Sequence, residues 1–344
     1  MVKRITIIAL VLLLPTLLFA STGGQISLLG GFTTANQKSF WNMSVNPYIT
    51  YSENAMKAEI RGDITSTTIN DINVLSLSLK RADFRFRLPS FGGKKMTITA
   101  GLSPISWGLG TYYRIGDVLL EDFSQNEQAG VNDSRNIWLI SISQGLGNDF
   151  SFDVAVTLPI SAKVNIIQNT TIMEQSQKLA TGLKVKKSFK DDTLKSINVY
   201  ASLNEDKDVR IATALDLSLY FDITTGFETR FRSKSDLLFA INMMKLYSIE
   251  TELNSYQLGL YLASQADFYN EKYSLCSALT FTPNERISLY LSLTSTFSNS
   301  GFEEFLIAPS LSFVLTDAIK LEVSGGYNSK NNLFTSFARL KAVF

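Results

Sequence analysis

Alternation of apolar and polar residues over short segments is the feature that most restricts how this chain can fold. Apolar residues make up 45% of its 344 residues. After Phe19, however, no run approaches the roughly 20 apolar residues of a membrane-spanning helix. In the segment 286–298, for example, Ile287 and Leu289 share one face, while Ser288 and Tyr290 share the other. Repetition of this period-two pattern along the chain predicts an all-β protein.

Eighteen strands are predicted from the alternation and the polar turns, and 16 is the alternative if the weakest assignments are redrawn. A single closed, antiparallel transmembrane β-barrel fits this number, because lipid-facing and lumen-facing residues alternate in such a barrel. A soluble secreted β-protein also alternates and is the competing interpretation. The strands are expected near 25–33, 40–52, 55–66, 72–88, 94–107, 135–146, 150–159, 178–189, 194–204, 208–220, 223–234, 236–246, 248–265, 272–282, 286–298, 302–316, 318–329 and 332–344.

The last predicted strand ends the chain on an aromatic residue. Phe344 and Leu340 lie on its apolar face, and Arg339 and Lys341 lie on the opposite face. This ending resembles the closing strand of bacterial outer-membrane β-barrel proteins of the porin type, which finish on Phe preceded by apolar residues at alternate positions. Ala342 departs from that pattern, because a larger residue is usual there. The resemblance implies that Leu340 and Phe344 form the insertion signal read by the barrel assembly machinery.

Residues 1–22 have the composition of a secretory signal peptide. Lys3 and Arg4 precede an apolar run of about 15 residues, and Ala20 is a candidate for the last residue before the cut. An uncleaved anchor is the alternative. We expect residues 23–344 to form the barrel as one domain. Export and the closing strand together predict an outer-membrane location, with outer-membrane lipid as a partner.

The connections between predicted strands differ in length on the two sides of the barrel. Counted back from Phe344, the turns on the side of the C-terminus are all short, including a tight turn near Tyr247. The two long connections, 108–134 and 160–177, both fall on the opposite side. Outer-membrane barrels have short periplasmic turns and longer outer loops. The C-terminus is therefore expected on the periplasmic side.

Composition excludes several classes of function. The signal peptide has two basic residues and no acidic one, so the mature charge is +1 − 2 = −1, and no nucleic-acid partner is expected. Histidine is absent and Cys276 is the lone cysteine. The Ser–His and Asp–His arrangements of outer-membrane hydrolases therefore cannot form, and there is no nucleophile elbow. The sequence predicts no enzymatic activity, no metal site and no cofactor.

Charged residues oppose apolar ones in several predicted strands. Phe84 and Phe86, for example, lie on the face opposite Asp83 and Arg85. An arginine on the lipid face costs about 2–4 kcal/mol at the bilayer midplane, so the charged face is expected to line the lumen. Alternatively, these charges only pair across strands and stiffen the wall. The predicted pore-lining residues are Lys57, Arg61, Arg81, Asp83, Arg85, Arg87, Glu228, Arg230 and Arg232.

The long connection 108–134 is rich in acidic residues, and Asp117 is placed to cap a short helix. General porins have a long loop that folds inward and narrows the channel, and this connection is similar to that loop in length and sign. The alternative is a solvated loop that caps the mouth. The resemblance implies a constriction loop whose acidic residues Asp117, Glu121 and Asp122 face Arg81, Arg85 and Arg87.

Aromatic residues suggest where the membrane interfaces lie. Trp107 belongs to a Trp-Gly-x-Gly segment that resembles one in some porin-like barrels, and it is alternatively an interfacial anchor at the outer rim. Other aromatic residues near predicted strand ends fit the two girdles of a barrel, although aromatics are common in any β-protein. They are Trp41, Tyr51, Trp138, Tyr220, Phe221, Phe281 and Phe344.

Sixteen or 18 strands enclose an aqueous channel. The sequence therefore predicts an outer-membrane, porin-like channel for passive diffusion of small polar or charged solutes through a water-filled, charge-lined lumen. Because basic residues outnumber acidic ones on the predicted inner face, we expect a mild preference for anions. The alternative is an outer-membrane structural protein or adhesin that acts through its extracellular loops. A transporter of hydrophobic substrates is disfavoured, since no N-terminal hatch precedes the first strand. General porins are often trimers, so a homo-oligomer stays open.

Overall fold

The structure is a computed structural model. It describes residues 21–33, 38–53, 55–69, 72–89, 94–105, 107–110, 112–119, 136–160, 163–167, 170–173, 178–231, 235–250 and 255–344. Within these ranges, no helix has the length and apolarity needed to cross a bilayer.

The alternating segments form strands that pair with antiparallel neighbours, because period-two patterning suits a sheet with two different faces. The strands are β1 (Ser21–Thr33), β2 (Lys38–Glu53), β3 (Met56–Ile69), β4 (Ile72–Pro89), β5 (Lys95–Pro104), β6 (Asn136–Gly147), β7 (Phe150–Thr157), β8 (Lys163–Ile167), β9 (Thr170–Met173), β10 (Ala180–Ser188), β11 (Leu194–Asn204), β12 (Val209–Ser218), β13 (Asp222–Phe231), β14 (Ser235–Glu250), β15 (Ser255–Asp267), β16 (Lys272–Asn284), β17 (Ile287–Ser298), β18 (Gly301–Thr316), β19 (Ile319–Asn328) and β20 (Leu333–Val343).

A closed barrel of 18 strands results, as the sequence predicted. It consists of β1–β7 and β10–β20, and the first and last strands pair from Gln25 opposite Val343 to Thr33 opposite Thr335. Beyond this register, Phe344 exchanges both backbone hydrogen bonds with Gly24, at 2.9 and 3.0 Å. Closure leaves the ring without free edge strands, which would otherwise pair with other chains. We call the end of the barrel that holds Ser21 and Phe344 the terminal end, and the opposite end the far end.

Two details differ from the predicted strands. The connection 160–177, expected as a loop, contains the hairpin β8–β9, and β8 pairs with β4 at Val74–Ser78. β5 pairs with β4 only from Ala82 onward, so the hairpin covers an edge of β4 that β5 leaves open. The turn expected near Tyr247 is also wrong, because β14 continues through that residue to Glu250.

The first strand overlaps the end of the predicted signal peptide, residues 1–22, by two residues. Ser21 and Thr22, assigned to the signal by the sequence, belong to β1 and are in register with Thr50 and Ile49. A cut after Ala20 would leave β1 whole. Cleavage itself stays a prediction, because residues 1–20 lie outside the described ranges.

The two faces of the barrel wall differ sharply in polarity. On β17, Leu289, Leu291 and Leu293 point outward and are exposed, while Ser292 points inward and is buried. The same contrast recurs around the ring, so a band of large apolar side chains covers the outside. Trp41, Tyr220 and Phe344 are among the most exposed aromatic residues. An outer face of this kind is stable in lipid and not in water.

Candidate channel interior

Residues 105, 107–110 and 112–119, which we call the inward segment, follow the end of β5 and lie inside the barrel. Trp107, Ile115 and Leu119 are almost fully buried there. They belong to an apolar cluster with inner-face residues of β6, β7, β10, β11, β12 and β14. The inward segment is therefore packed against one side of the barrel wall. The wall members of the cluster are Ile137, Leu139, Ala155, Ala180, Tyr200, Ala212, Ala214 and Ala240.

Small wall residues make room for this packing. A Cβ on Gly182 of β10 would lie 2.8 Å from side-chain atoms of both Leu119 and Trp107. Gly116 has a φ of +95°, which an L side chain rarely adopts, and a Cβ there would lie 2.4 Å from the Tyr200 ring. Both glycines are thus required by the close approach of the segment to the wall.

Polar side chains of the wall hold the backbone of the inward segment. Asn242 of β14 accepts hydrogen bonds from the backbone N–H groups of Tyr112 (3.2 Å) and Tyr113 (3.1 Å) and donates one to the carbonyl of Tyr113 (2.9 Å). Lys184 of β10 donates to the carbonyl of Trp107 at 3.0 Å. These bonds satisfy backbone groups that would otherwise be buried without partners.

Two further contacts fix the end of the segment. Ser202 of β11 donates to the carbonyl of Val118 at 2.7 Å, and Gly116 N–H donates to the Glu228 carboxylate of β13 at 3.4 Å. Glu228 also pairs with Arg230 at 3.4 Å, and its side chain is fully buried. The sequence predicts Glu228 in the pore lining. The structure instead places it beneath the segment, where a solute cannot reach it.

Asp117 is the one predicted constriction residue within the described ranges, and its contacts differ from the expectation. Asp117 accepts a hydrogen bond from Gly108 N–H at 2.6 Å and lies 3.6 Å from Arg114. It therefore braces the segment internally and does not pair with Arg81, Arg85 or Arg87. The short helix that the sequence predicts after Asp117 falls largely on residues outside the described ranges, and Glu121 and Asp122 lie outside them too.

Trp107 is not the interfacial anchor that the sequence allowed. Its ring is buried inside the barrel against Gly182. An aromatic residue beside glycines fits both a membrane interface and a packed interior, and local sequence does not distinguish these environments. The buried partners that decide the matter come from β10, far along the chain.

Tyrosines gather at the tip of the segment, a feature that sequence analysis missed. The Tyr112 hydroxyl lies 3.2 Å from that of Tyr290 on β17, and its ring meets Tyr261 of β15 edge-on at a centroid distance of 5.9 Å. Burial raises the pKa of the Tyr112 phenol, and it does the same for Tyr113. Both phenols therefore stay neutral at physiological pH. No spacing in the sequence marks these residues, because they come from three separate elements.

Paired charges occupy the inner face of β3 and β4. Asp83 accepts hydrogen bonds from Arg81 (2.7 Å), Arg85 (2.8 Å) and Ser103 (3.1 Å). Glu59 lies 3.0 Å from Arg81 and 2.9 Å from Arg61. Each carboxylate is therefore shared by two guanidinium groups. Glu59 and Arg81 pair across β3 and β4, whereas the ion pairs of Asp83 lie within β4 itself.

Acidic and basic members of this cluster differ in exposure. The side chains of Glu59 and Asp83 are 6% and 2% exposed, whereas those of Arg61 and Arg85 are 49% and 36% exposed. Lys57 and Arg87, on the same face, are also exposed. The basic groups thus cover the acidic ones. On β20, Arg339 and Lys341 share Glu322 in a similar way, at 3.9 and 3.5 Å.

The other predicted pore-lining residues are not part of this cluster. Arg230, with a side chain 12% exposed, lies with Glu228 on β13. Arg232 lies outside the described ranges. In the ring of 18 strands, β3 and β14 are nine strands apart and so face each other across the lumen. The cluster on β3 and β4 consequently lies across the barrel from the wall that binds the inward segment.

A closed antiparallel barrel with an apolar outer belt is the architecture of outer-membrane β-barrel proteins, the class to which the fold assigns this chain.

No protein-family model matches the chain, and no curated protein matches it. Solved structures of Pseudomonas aeruginosa outer-membrane proteins are similar in fold. OccK5 (OpdH) has a TM-score of 0.57 at 9% identity, with 94% of this chain and 97% of that chain covered. OccK2 (OpdF) in complex with glucuronate has a TM-score of 0.56 at 9% identity, covering 94% and 96%. OpdK with vanillate has a TM-score of 0.55 at 8% identity, covering 94% and 98%. These similarities show that the chain has the fold of outer-membrane β-barrel proteins.

Proposed function

We propose that the protein is a channel for passive diffusion of small polar or charged solutes across the outer membrane, with a preference for anions. The observation that carries this proposal is the unequal exposure of the charges on β3 and β4. A solute passing this wall meets Arg61 and Arg85, because Glu59 and Asp83 lie beneath them. The local potential is therefore positive although the paired charges nearly cancel.

The inward segment defines the other side of the passage. It narrows the lumen from the side of β6, β7 and β10–β14, and the passage is left along the wall of β1–β4 and β18–β20. Bonds from Asn242, Lys184 and Ser202 to its backbone make it a fixed part of the wall. The constriction in this proposal thus lies between the segment and the basic cluster.

Small carboxylates are the permeants that suit this passage best. An arginine guanidinium binds a carboxylate through two parallel hydrogen bonds, so exposed arginines along a wall offer successive weak sites. Two of the structures with a similar fold contain glucuronate and vanillate, which are carboxylates. At 8–9% identity these structures support the fold. The class of solute is carried over from their ligands as part of this proposal, and no residue is carried over.

Enzymatic activity is not part of the proposal. The chain contains no histidine, which removes the Ser–His and Asp–His catalytic arrangements of hydrolases. The alternative role, a structural protein or adhesin acting through its loops, needs no open passage. Conductance therefore distinguishes the two roles.

The experiment is single-channel recording of the mature protein refolded in a planar bilayer under a salt gradient. We expect stable conductance steps, and a reversal potential with the sign of anion preference. Folded barrels that give no steps would favour the structural or adhesive role. Clear cation preference would contradict the basic passage while leaving the channel in place.

A further inference from the structure

One basic side chain interrupts the apolar outer face of β14. Outward-pointing residues along this strand are Leu237, Phe239, Ile241, Met243, Lys245, Tyr247 and Ile249. Asp222, the first residue of β13, is in register with Met244, so β14 projects past β13 from Lys245 onward. Lys245 therefore lies near the terminal end of the barrel. A lysine on the lipid face costs about 2–4 kcal/mol at the midplane but only about 0–1 kcal/mol near the interface.

Two tyrosines surround the Lys245 ammonium group. Its Nζ lies 4.4 Å from the ring centroid of Tyr220 and 5.9 Å from that of Tyr247. The hydroxyls of these tyrosines are 3.0 Å apart. Within the described part of the chain, Lys245 forms no ion pair with a carboxylate. A positive charge is thus presented on the outer surface together with two phenol groups.

We propose that Lys245, Tyr220 and Tyr247 bind the headgroup phosphate of an anionic phospholipid in the periplasmic leaflet. The inference rests on the membrane placement of the proposed function, with the terminal end on the periplasmic side. Of the two hydroxyls, one donates to the other, and the accepting tyrosine keeps its own proton to donate to a ligand. A phosphodiester has two unesterified oxygens, one for the ammonium group and one for this hydroxyl. The lipid tails would lie along the apolar outer residues of β14.

Native mass spectrometry of the refolded full barrel tests this site with phosphatidylglycerol and phosphatidylcholine as probes. The wild type should retain phosphatidylglycerol in preference to phosphatidylcholine. Lys245→Met should lower that retention about fivefold, the effect of one basic side chain at an anionic membrane surface. A Tyr220→Phe/Tyr247→Phe variant keeps both rings, loses the hydroxyls and should show a smaller decrease.

The matched control is Lys272→Met, which removes the same charge from the far end, where Lys272 lies 3.9 Å from Glu303. It should leave phosphatidylglycerol retention unchanged. Equal losses in Lys272→Met and Lys245→Met, or no loss in Lys245→Met, would overturn the proposal. Displacement of the lipid by soluble glycerol phosphate would show that the site takes a free phosphate and not a lipid.

Conductance separates this inference from the channel proposal. Lys245 is outside the lumen, so Lys245→Met should conduct as the wild type does and should keep its heat-modifiable mobility on a gel. Lipid preference in a barrel without conductance would refute the channel and support the site. Conductance without lipid preference would support the channel and refute the lipid site.

Discussion

Asn242 on β14 and Tyr113 in the inward segment are joined by two hydrogen bonds of opposite direction. The Asn242 carboxamide accepts from Tyr113 N–H at 3.1 Å and donates to the Tyr113 carbonyl at 2.9 Å. One side chain thereby pairs both backbone groups of a residue in the lumen, as a neighbouring strand would. It also accepts from Tyr112 N–H at 3.2 Å. We therefore expect Asn242 to be the principal point that fixes the segment.

Asn242→Leu should free the tip of the inward segment. The substitution leaves three backbone groups without their partner, at about 1–3 kcal/mol for each that stays buried. The pairing of β14 with β13 and β15 uses backbone hydrogen bonds and does not depend on this side chain, so the variant should still fold. We expect noisier single-channel currents with more than one conductance level. Recordings beside the wild type under identical salt check this.

Two control variants sharpen this prediction. Asn242→Asp keeps the acceptor for Tyr112 and Tyr113 N–H but loses the donor to the Tyr113 carbonyl, so it should be intermediate. Asn42→Ala removes a side chain that bonds Thr67 within the wall, at 2.8 Å. It should keep a single conductance level. Quiet currents in Asn242→Leu would show that the segment is held without this residue.

Arg61→Glu and Arg85→Glu should reduce anion preference. Both guanidinium groups are exposed on the inner face, so reversing either charge changes the potential that a passing ion meets. We expect the reversal potential in a salt gradient to move toward that of a cation-preferring channel, and to change sign in the double variant. The control Lys190→Gln removes a charge from an exposed turn and should have little effect. An unchanged potential in the double variant would place the ion path elsewhere.

Asp83→Asn separates the structural role of the cluster from its electrostatic role. The variant removes a buried charge shared by Arg81 and Arg85, and a hydrogen bond to a charged group contributes about 1.5–3 kcal/mol. The unfolding temperature, measured as the temperature at which the barrel loses its heat-modifiable mobility on a gel, should fall. At the same time anion preference should rise, because the two arginines lose their counter-charge. A lower unfolding temperature with unchanged selectivity would mean that these arginines only stiffen the wall.

The strands of the barrel could be predicted because in each strand the lipid-facing residues are apolar and alternate with polar residues that face the lumen. On β17, leucines alternate with serine, threonine and tyrosine, and the strand follows from that pattern alone. The hairpin β8–β9 was missed because its pairing depends on an edge of β4 left open by β5. The apolar–polar alternation within a single segment does not predict a contact with an edge of a distant strand.

The candidate site could be predicted only where one strand carries it. Asp83 and Arg85 were placed on one face from their spacing, and they do share a face. The partners of the inward segment come from strands between β6 and β17, so no spacing within the segment indicated them. The same limit explains Glu228, whose position on the inner face was inferred but whose cover by the segment was not.

Acid should loosen the turn between β10 and β11. Asp191 accepts hydrogen bonds from the backbone N–H groups of Thr193 (2.6 Å) and Leu194 (3.4 Å), and these bonds lower the pKa of its carboxyl below the ordinary value of 3.8. A lowered folded-state pKa means that the stabilisation is complete above the unfolded-state pKa and is lost as pH falls through the folded-state value. Hydrogen exchange at Thr193 and Leu194, corrected for its intrinsic pH dependence, should lose protection below about pH 4. In Asp191→Ala the protection should already be absent at neutral pH.

Gly182→Val should displace the inward segment from the wall. A Cβ at this position would lie 2.8 Å from Leu119 and from the Trp107 ring, and small-to-large changes in a packed interior cost about 1–3 kcal/mol. Because the wall strand is held by β7 and β11 on both sides, the segment is the element that must move, and it can move only toward the open passage. Conductance should therefore fall while the barrel stays folded. Gly325→Val is the matched control, since a Cβ there meets its nearest atoms at 3.5 and 3.8 Å. Conductance at the wild-type level in Gly182→Val would mean that the space beside Gly182 is not closed by the segment in the conducting channel.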